Sequence, residues 1–384
     1  MLTRPKPLND ELLISWLARL ANSNHVTLRE LGRLLVGHAQ KVLGSDVDRS
    51  IGPALIQRLA SIARIDEHTI QRTTLRSYEG FLFERHSPVG QSRWTMPIGK
   101  YGNRRLGFGQ QYCPRCLATD RKPYLRRHWR LALSVFCLCH RRYLRDSCPH
   151  CQSPVALPVD SQAAVGECAI CHGDLTKDPK PIHRENIDDA SLDHQQRLYC
   201  ILESGWANLP RGRVIYAHLY FEGLHSIWRM LAGGGYGERL YKYLCQERGE
   251  LALPLPFPKN CGAIEMLRLP ERANLLSLSA GLFRDWPKNA QAAFKAAKVG
   301  CTDIADRRGR TPFWLAEDLR QSLYSRPYWK SQGERIAAAQ YLRSHGQSDS
   351  RNNVARWLGA WHVLKNKDQR STVVELARRS PDLG

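Results

Sequence analysis

The chain has 384 residues, 42% apolar and 24% charged, which is ordinary for a globular protein with room for two or three cores. No run of about 18 uncharged apolar residues occurs, and the opening MLTRPKPLNDELL turns acidic and amphipathic at once. We therefore expect no membrane span, no secretory leader and a cytoplasmic location. The formal charge of +21 and pI near 9.7 produce a field that attracts phosphate polyanions; a basic protein that binds none is the alternative.

In chain order, Asn9 precedes Asp10 and Glu11, a cap with acids in the first helical turn. Leu13, Trp16, Leu17, Leu20 and Ala21 then recur at helical spacing. Asn22–His25 break the pattern, and Thr27 with Glu30 forms a capping box for a second helix carrying Leu28, Leu31, Leu34 and Leu35. Two short helices joined by polar residues suit a helix-turn-helix or, equally, a small helical bundle. Short helical pieces continue to about residue 80, and residues 88–112, with Pro88, Pro97 and five glycines, read as an irregular connection.

The next stretch concentrates both cysteine and charge. Residues 101–150 hold eleven Lys/Arg against Asp120 and Asp146, a net of +9, and eight of the twelve cysteines lie between Cys113 and Cys171. Cys113-Pro-Arg-Cys116, Cys137-Leu-Cys-His140, Cys148-Pro-His-Cys151 and Cys168-Ala-Ile-Cys171 are four tight two-ligand turns. Taken in order they complete two tetrahedral zinc sites, one Cys₃His and one Cys₄. A disulfide framework does not fit a chain without a leader. Closed sites with four protein ligands are structural, since catalysis needs an open position. Cys139 competes with His140 for the fourth place in the first site, and His128, His150 and His172 lie close by. Between the first two turns Trp129, Leu131, Leu133 and Val135 alternate with Arg130, Ala132 and Ser134, a strand pattern.

Arg121, Lys122, Arg126, Arg127, Arg130, Arg141, Arg142 and Arg145 surround the sites, with Tyr124, Trp129 and Tyr143 interleaved. Such a set meets a phosphate backbone or stacks on unpaired bases; the alternatives are a solvated face and an acidic protein partner. Cys200, Cys245, Cys261 and Cys301 are scattered and read as buried small apolar residues. There is no H-E-x-x-H, no H-x-E before P-C-x-x-C and no Walker A sequence, so an enzyme is not expected.

Beyond Cys171, residues 173–186 with Pro179 and Pro181 mark a boundary. The remainder is mostly helical, interrupted by a loop at Gly233–Gly235 and an extended LPLPFP at 253–258. Ile336–Leu342 form a helix stopped at His345–Gly346, followed by Arg351–Leu358, Gly359 and His362–Lys367. Ala355 and Gly359 suit a second helix-turn-helix, with Lys365, Lys367 and Arg370 facing phosphates; a packed helix pair is the alternative. The expected architecture is mainly α with small β zinc ribbons. It comprises an N-terminal helical region with a helix-turn-helix at 1–105, tandem zinc ribbons at 106–180, and a helical C-terminal domain at 181–384 with a second helix-turn-helix near 334–370.

RPKPLNDELLISWLARLANSN, the C-P-R-C turn, the His128-Trp129 pair, the C-x-C-H step, the later C-x-x-C pairs and RANLLSLSAGLFRDWP at 272–287 together resemble the TniQ family. Opening and length look most like the TniQ of type I-F CRISPR-associated transposons. That likeness implies a non-enzymatic target selector in the bacterial cytoplasm holding two structural zinc ions. It implies a head-to-tail homodimer seated on a crRNA-bound Cascade complex, against its crRNA-processing endonuclease and backbone subunits. It also implies delivery of target DNA to an AAA+ transposition ATPase. Direct reading of a transposon attachment site is the alternative function.

Overall fold

The computed structural model describes residues 3–37, 45–90, 92–101, 104–105, 107–162, 165–177, 187–234, 236–249, 263–304, 312–319, 322, 332–350 and 353–354. The chain divides into two compact units, Met1–His225 with Gly262–Gly281, and Ser226–Cys261 with Leu282–Gly384. The described part is mainly helical, with three two-stranded antiparallel pairs. No helix among the described residues is long and apolar enough to cross a membrane.

The first unit opens with helix α1 (Leu13–Asn22), whose residues Leu13 to Ala21 are all buried. Its capping departs from expectation. The helix starts two residues after Glu11, and its N-cap Leu12 supplies no side-chain bond. Instead Leu12 N–H donates to Leu125 O (2.8 Å), Leu13 N–H to Thr73 O (2.9 Å) and Ile14 N–H to Asp48 Oδ1 (2.8 Å). The local acids are engaged elsewhere: Glu11 is 1% exposed and holds Arg19 through both oxygens (2.7 and 2.6 Å), while Asp10 pairs with Arg127 and His128. Helix ends leave amides without intrahelical partners; here distant segments supply the acceptors.

Helix α2 (Leu28–Val36) behaves as read: Thr27 and Glu30 form the reciprocal box, and Gly37 closes it in the left-handed region at φ 75°. The short helices α3 (Val47–Ser50), α4 (Pro53–Ala63) and α5 (Glu67–Gln71) complete the helical start. A pair of two-residue strands, β1 (Lys100–Tyr101) and β2 (Arg104–Arg105), leads to the cysteine region. There α6 (Pro114–Thr119) and the pair β3 (Phe136–Cys137) and β4 (Arg142–Tyr143) carry the first ligands. The unit also contains α7 (Asp189–Ser204), the hairpin β5 (Trp206–Leu209) and β6 (Arg213–Tyr216), and the leading parts of α8 (Ala217–Ala232) and α10 (Leu269–Phe283).

The strand expected over 129–135 is absent. Arg127–Arg130 form a 3₁₀ turn, residues 129–137 are all buried, and pairing is confined to β3 with β4. Alternation predicts a strand only if the polar residues face water. Here Arg130 is fully buried against Asp46 and Asp48, and side chains satisfy much of the backbone. Gln111 Nε2 donates to Trp129 O and Ser134 O, and Gln195 Oε1 accepts from Val135 and Phe136 N–H.

In the second unit α9 (Tyr236–Glu247) follows the Gly233 loop. Gly237 must be glycine, because a Cβ there would lie 1.9 Å from Met230 O. Trp286 stacks on Phe283 (4.7 Å, 12°), lies 5.4 Å from Trp314, and donates to Asp318 (2.7 Å). The helix expected at Ile336–Leu342 is part of α14 (Gln332–Ser344), which is stopped by Gly346 at φ 67°; between them in the chain are α11 (Lys288–Ala296), α12 (Cys301–Ile304) and α13 (Phe313–Leu319). The LPLPFP segment, nearly all of Arg351–Leu358, and the remainder of the second helix-turn-helix with Lys365, Lys367 and Arg370 lie outside the described residues. Cys245 is buried as expected, whereas Cys200 on α7 is exposed, since it falls on the helix's outer side.

Candidate metal centres

Cys113 occupies the cap position of α6 and Pro114 its first turn, a place where the missing N–H costs nothing. Cys116, two residues further, therefore points back beside Cys113. The other pair comes from the β3–β4 turn. Cys137 ends β3, and Arg141 at φ 47° turns the chain back after His140. His140 Nδ1 lies 3.6, 3.3 and 3.5 Å from the sulfurs of Cys113, Cys116 and Cys137, and Cys116 and Cys137 are 3.5 Å apart. Cys139 is exposed and is not a member of this group.

The second group repeats one device twice. Gln152 N–H returns to Cys148 O (2.9 Å) and His172 N–H to Cys168 O (3.1 Å). His150 and Ile170 N–H each point at the first sulfur of their turn, both at 3.4 Å. Gln152 and His172 both adopt φ 58°, so three of the turns share a left-handed residue straight after the second ligand, a conformation that costs a non-glycine residue about 1 kcal/mol or more. Sulfur–sulfur distances across the group are 3.7 Å (Cys148–Cys171) and 3.8 Å (Cys151–Cys168).

These spacings fit zinc. Four sulfurs at about 2.3 Å from a central ion make a tetrahedron with edges of about 3.8 Å, and a nitrogen at about 2.0 Å shortens its edges to about 3.5 Å. Within each quartet all ligand atoms lie within 4.8 Å of one another, so each can hold one ion. An ion bound there would supply charge for crowded thiolates and a cross-link between segments; it would have no open position for substrate. Thiol acidity already differs within the second group. Burial pushes Cys148 up to about 12, while at Cys151 the opposing hydrogen bonds from Ser153 and neighbouring thiols outweigh burial and bring it down to about 6.

The two quartets differ in their setting. Cys113, Cys116 and Cys137 are buried, and the 129–137 segment beside them is gripped by α10. Arg272, fully buried, donates to Ala132 O, Ser134 O and Gln111 Oε1; burial pulls its guanidinium down to about 10, still cationic at neutral pH. Arg268 pairs with Asp146 (3.0 Å) and covers the Phe108 ring at 3.5 Å. In the second quartet Cys171 is exposed and Cys151 half-buried, while Val155, Val165 and Leu175 of the same stretch are buried. The sequence reading missed these supports: Arg272 opens a stretch noted only for its resemblance, and nothing in local spacing announces a partner 140 residues away.

The expected basic face is corrected in part. Arg130 cannot meet phosphate: it is 0% exposed, bound to Asp46 (2.5 Å), Asp48 (3.0 Å) and Met96 O. Arg145 is also buried and Arg142 half-buried. Arg126 pairs with Asp120 (2.9 Å) between the Tyr124 and Trp129 rings, and Arg127 pairs with Asp10 (2.9 Å) over Tyr78. Arg141 reaches Asp189 but stays 62% exposed; Arg121 and Lys122 are exposed. Half-buried His128 binds Asp10 and lies 5.2 Å from the Tyr199 ring, a packing role away from the metal centres.

Residues 2–144 match the TniQ family model. The chain carries a TniQ domain. TniQ proteins are non-catalytic adaptors of transposition, which ties this chain to a transposition-associated adaptor or DNA-binding role. The TniQ match takes in the Cys113–His140 quartet and ends before Cys148, leaving the second quartet outside it. No curated protein matches the chain.

Proposed function

We propose that this chain is the target-selector adaptor of an RNA-guided DNA transposition system. It seats as a homodimer on a crRNA-bound Cascade complex, beside the crRNA-processing endonuclease and backbone subunits, and recruits the AAA+ ATPase to target DNA. The observation that carries the reading is a TniQ domain built around a closed four-ligand quartet. Closed quartets fix shape and make or break no bond, and shape is what an adaptor contributes. The resemblance of the opening and the length to the type I-F branch supports the choice of partners.

The test is reconstitution of the tagged, zinc-loaded chain with the guide complex, the ATPase and duplex target. Co-elution with the guide complex at two chains per complex, and ATPase retention only when this chain is present, are the expected results. Sequence-selective duplex binding by the chain alone, without the guide complex, would instead establish the direct reading of an attachment site.

A further inference from the structure

The β5–β6 hairpin buries Ala207, Leu209 and Ile215 on one face and turns Trp206, Asn208, Val214 and Tyr216 outward on the other. Trp206 and Tyr216 are directly paired, 46% and 54% exposed, with rings stacked at 4.4 Å and 28°. His218 continues the stack beside Tyr216 at 5.7 Å and 27°. The turn presents the exposed Arg211, and residues 206–218 contain no Asp or Glu. Leaving two large rings stacked in water serves no core.

The ladder adjoins a cleft of about 730 Å³. Phe81, 40% exposed, lines the cleft and also packs under Gly205, where an added Cβ would approach its ring to 3.2 Å. His218 meets Gly80 O at 3.3 Å on the same side. Arg72, Arg76, Arg126 and Arg127 line the cleft, with Asp10, Glu79 and Glu203. Asp10 pairs with Arg127 and Glu79 with Arg76, whereas Arg72 is exposed and has no ion-pair partner among the described residues. Parallel exposed rings with arginines at both ends match the chemistry of unpaired nucleotides: every base offers a face to stack and every linkage a phosphate.

We propose that the outward face of this hairpin, together with the cleft, is a binding site for single-stranded nucleic acid, with bases extending the Trp206–Tyr216–His218 stack and phosphates meeting Arg211 and Arg72. This goes beyond the adaptor role and is tested apart from it, on the chain alone. The probes are fluorescently labelled oligo(dT) and oligo(U) of about 12 nucleotides and a duplex of equal length, titrated into the full-length zinc-loaded protein.

Both strands should bind more tightly than the duplex, and the affinity should fall with salt. W206L or Y216L should weaken binding about tenfold each, whereas W206F stays within about threefold because it keeps a ring. R72Q/R211Q should flatten the salt dependence by about one to two phosphate contacts. A preference for oligo(U) assigns the site to RNA and a preference for oligo(dT) to DNA; either supports it. The proposal is overturned if the leucine variants bind like the parent, if an abasic strand binds as well as a base-bearing one, or if neither strand binds.

Discussion

The two cysteine quartets share donor spacing and differ in almost everything around it. In the first, three sulfurs are buried, and the adjoining segment is tied to Asp46 and Asp48, to Gln195 of α7 and to Arg272 of α10. The second is partly exposed and its turns are closed by their own neighbours, Ser153 O for Cys148 and Gly173 O for Cys168. The lesson is that two closed quartets built from the same kind of two-ligand turn serve as a keystone in one place and a local clasp in the other.

The largest effect should come from C113S/C116S. Removing the first ion withdraws on the order of 10 kcal/mol of apparent stabilisation from the place where the supports converge. The domain should lose near-UV ellipticity and cooperative melting, and survival of a sharp transition would break the keystone idea. Next, C148S/C151S should lower zinc from two ions per chain to one and deprotect amides of residues 148–177 while leaving α1 and the first quartet protected in hydrogen exchange. Loss of both ions in that variant would show that the two centres are one cooperative object.

R130A should follow at about 3–5 kcal/mol, because it strands Asp46 and Asp48 without their cation. R130M/D46N/D48N should recover much of that loss in denaturant melts, since the two carboxylates are then no longer left as charges without Arg130. Under mild chelation or falling pH the second centre should release its ion before the first. Metal-bound thiolates must stay deprotonated, so bound-state stability drains away as acid protonates them, and the exposed Cys171 admits chelator and proton first. Metal release followed with a chromogenic chelator in C148S/C151S and in the parent separates the two phases. The smallest effect belongs to C139S, within about 0.5 kcal/mol and with zinc content unchanged, as suits an exposed side chain.

What sequence made legible was whatever is decided within a few residues. The C-x-x-C and C-x-x-H turns, the Thr27–Glu30 box and the Gly346 stop all depend on neighbours three to five positions away. The misreadings have one cause. Asn9–Glu11 read as a cap, and Arg130 as a surface cation in a half-exposed strand, because a local pattern assumes water where a distant side chain in fact lies. Glu11 meets Arg19, Arg130 meets Asp46 and Asp48, and Ser134 O meets Arg272. Of the eight basic residues proposed for contact, Arg121, Lys122 and Arg141 remain clearly exposed, whereas Arg126, Arg127 and Arg130 are engaged by Asp120, Asp10 and the Asp46–Asp48 pair.

The borrowed acceptors at the start of α1 have a consequence for biosynthesis. Leu13–Asn22 leave the ribosome well before Leu125, whose carbonyl receives the Leu12 amide. At about 5–20 residues per second the nascent helix must wait on the order of ten seconds for that carbonyl to be translated. During this delay its apolar side is available to a holdase, and a translational pause placed before Leu125 would lengthen the exposure.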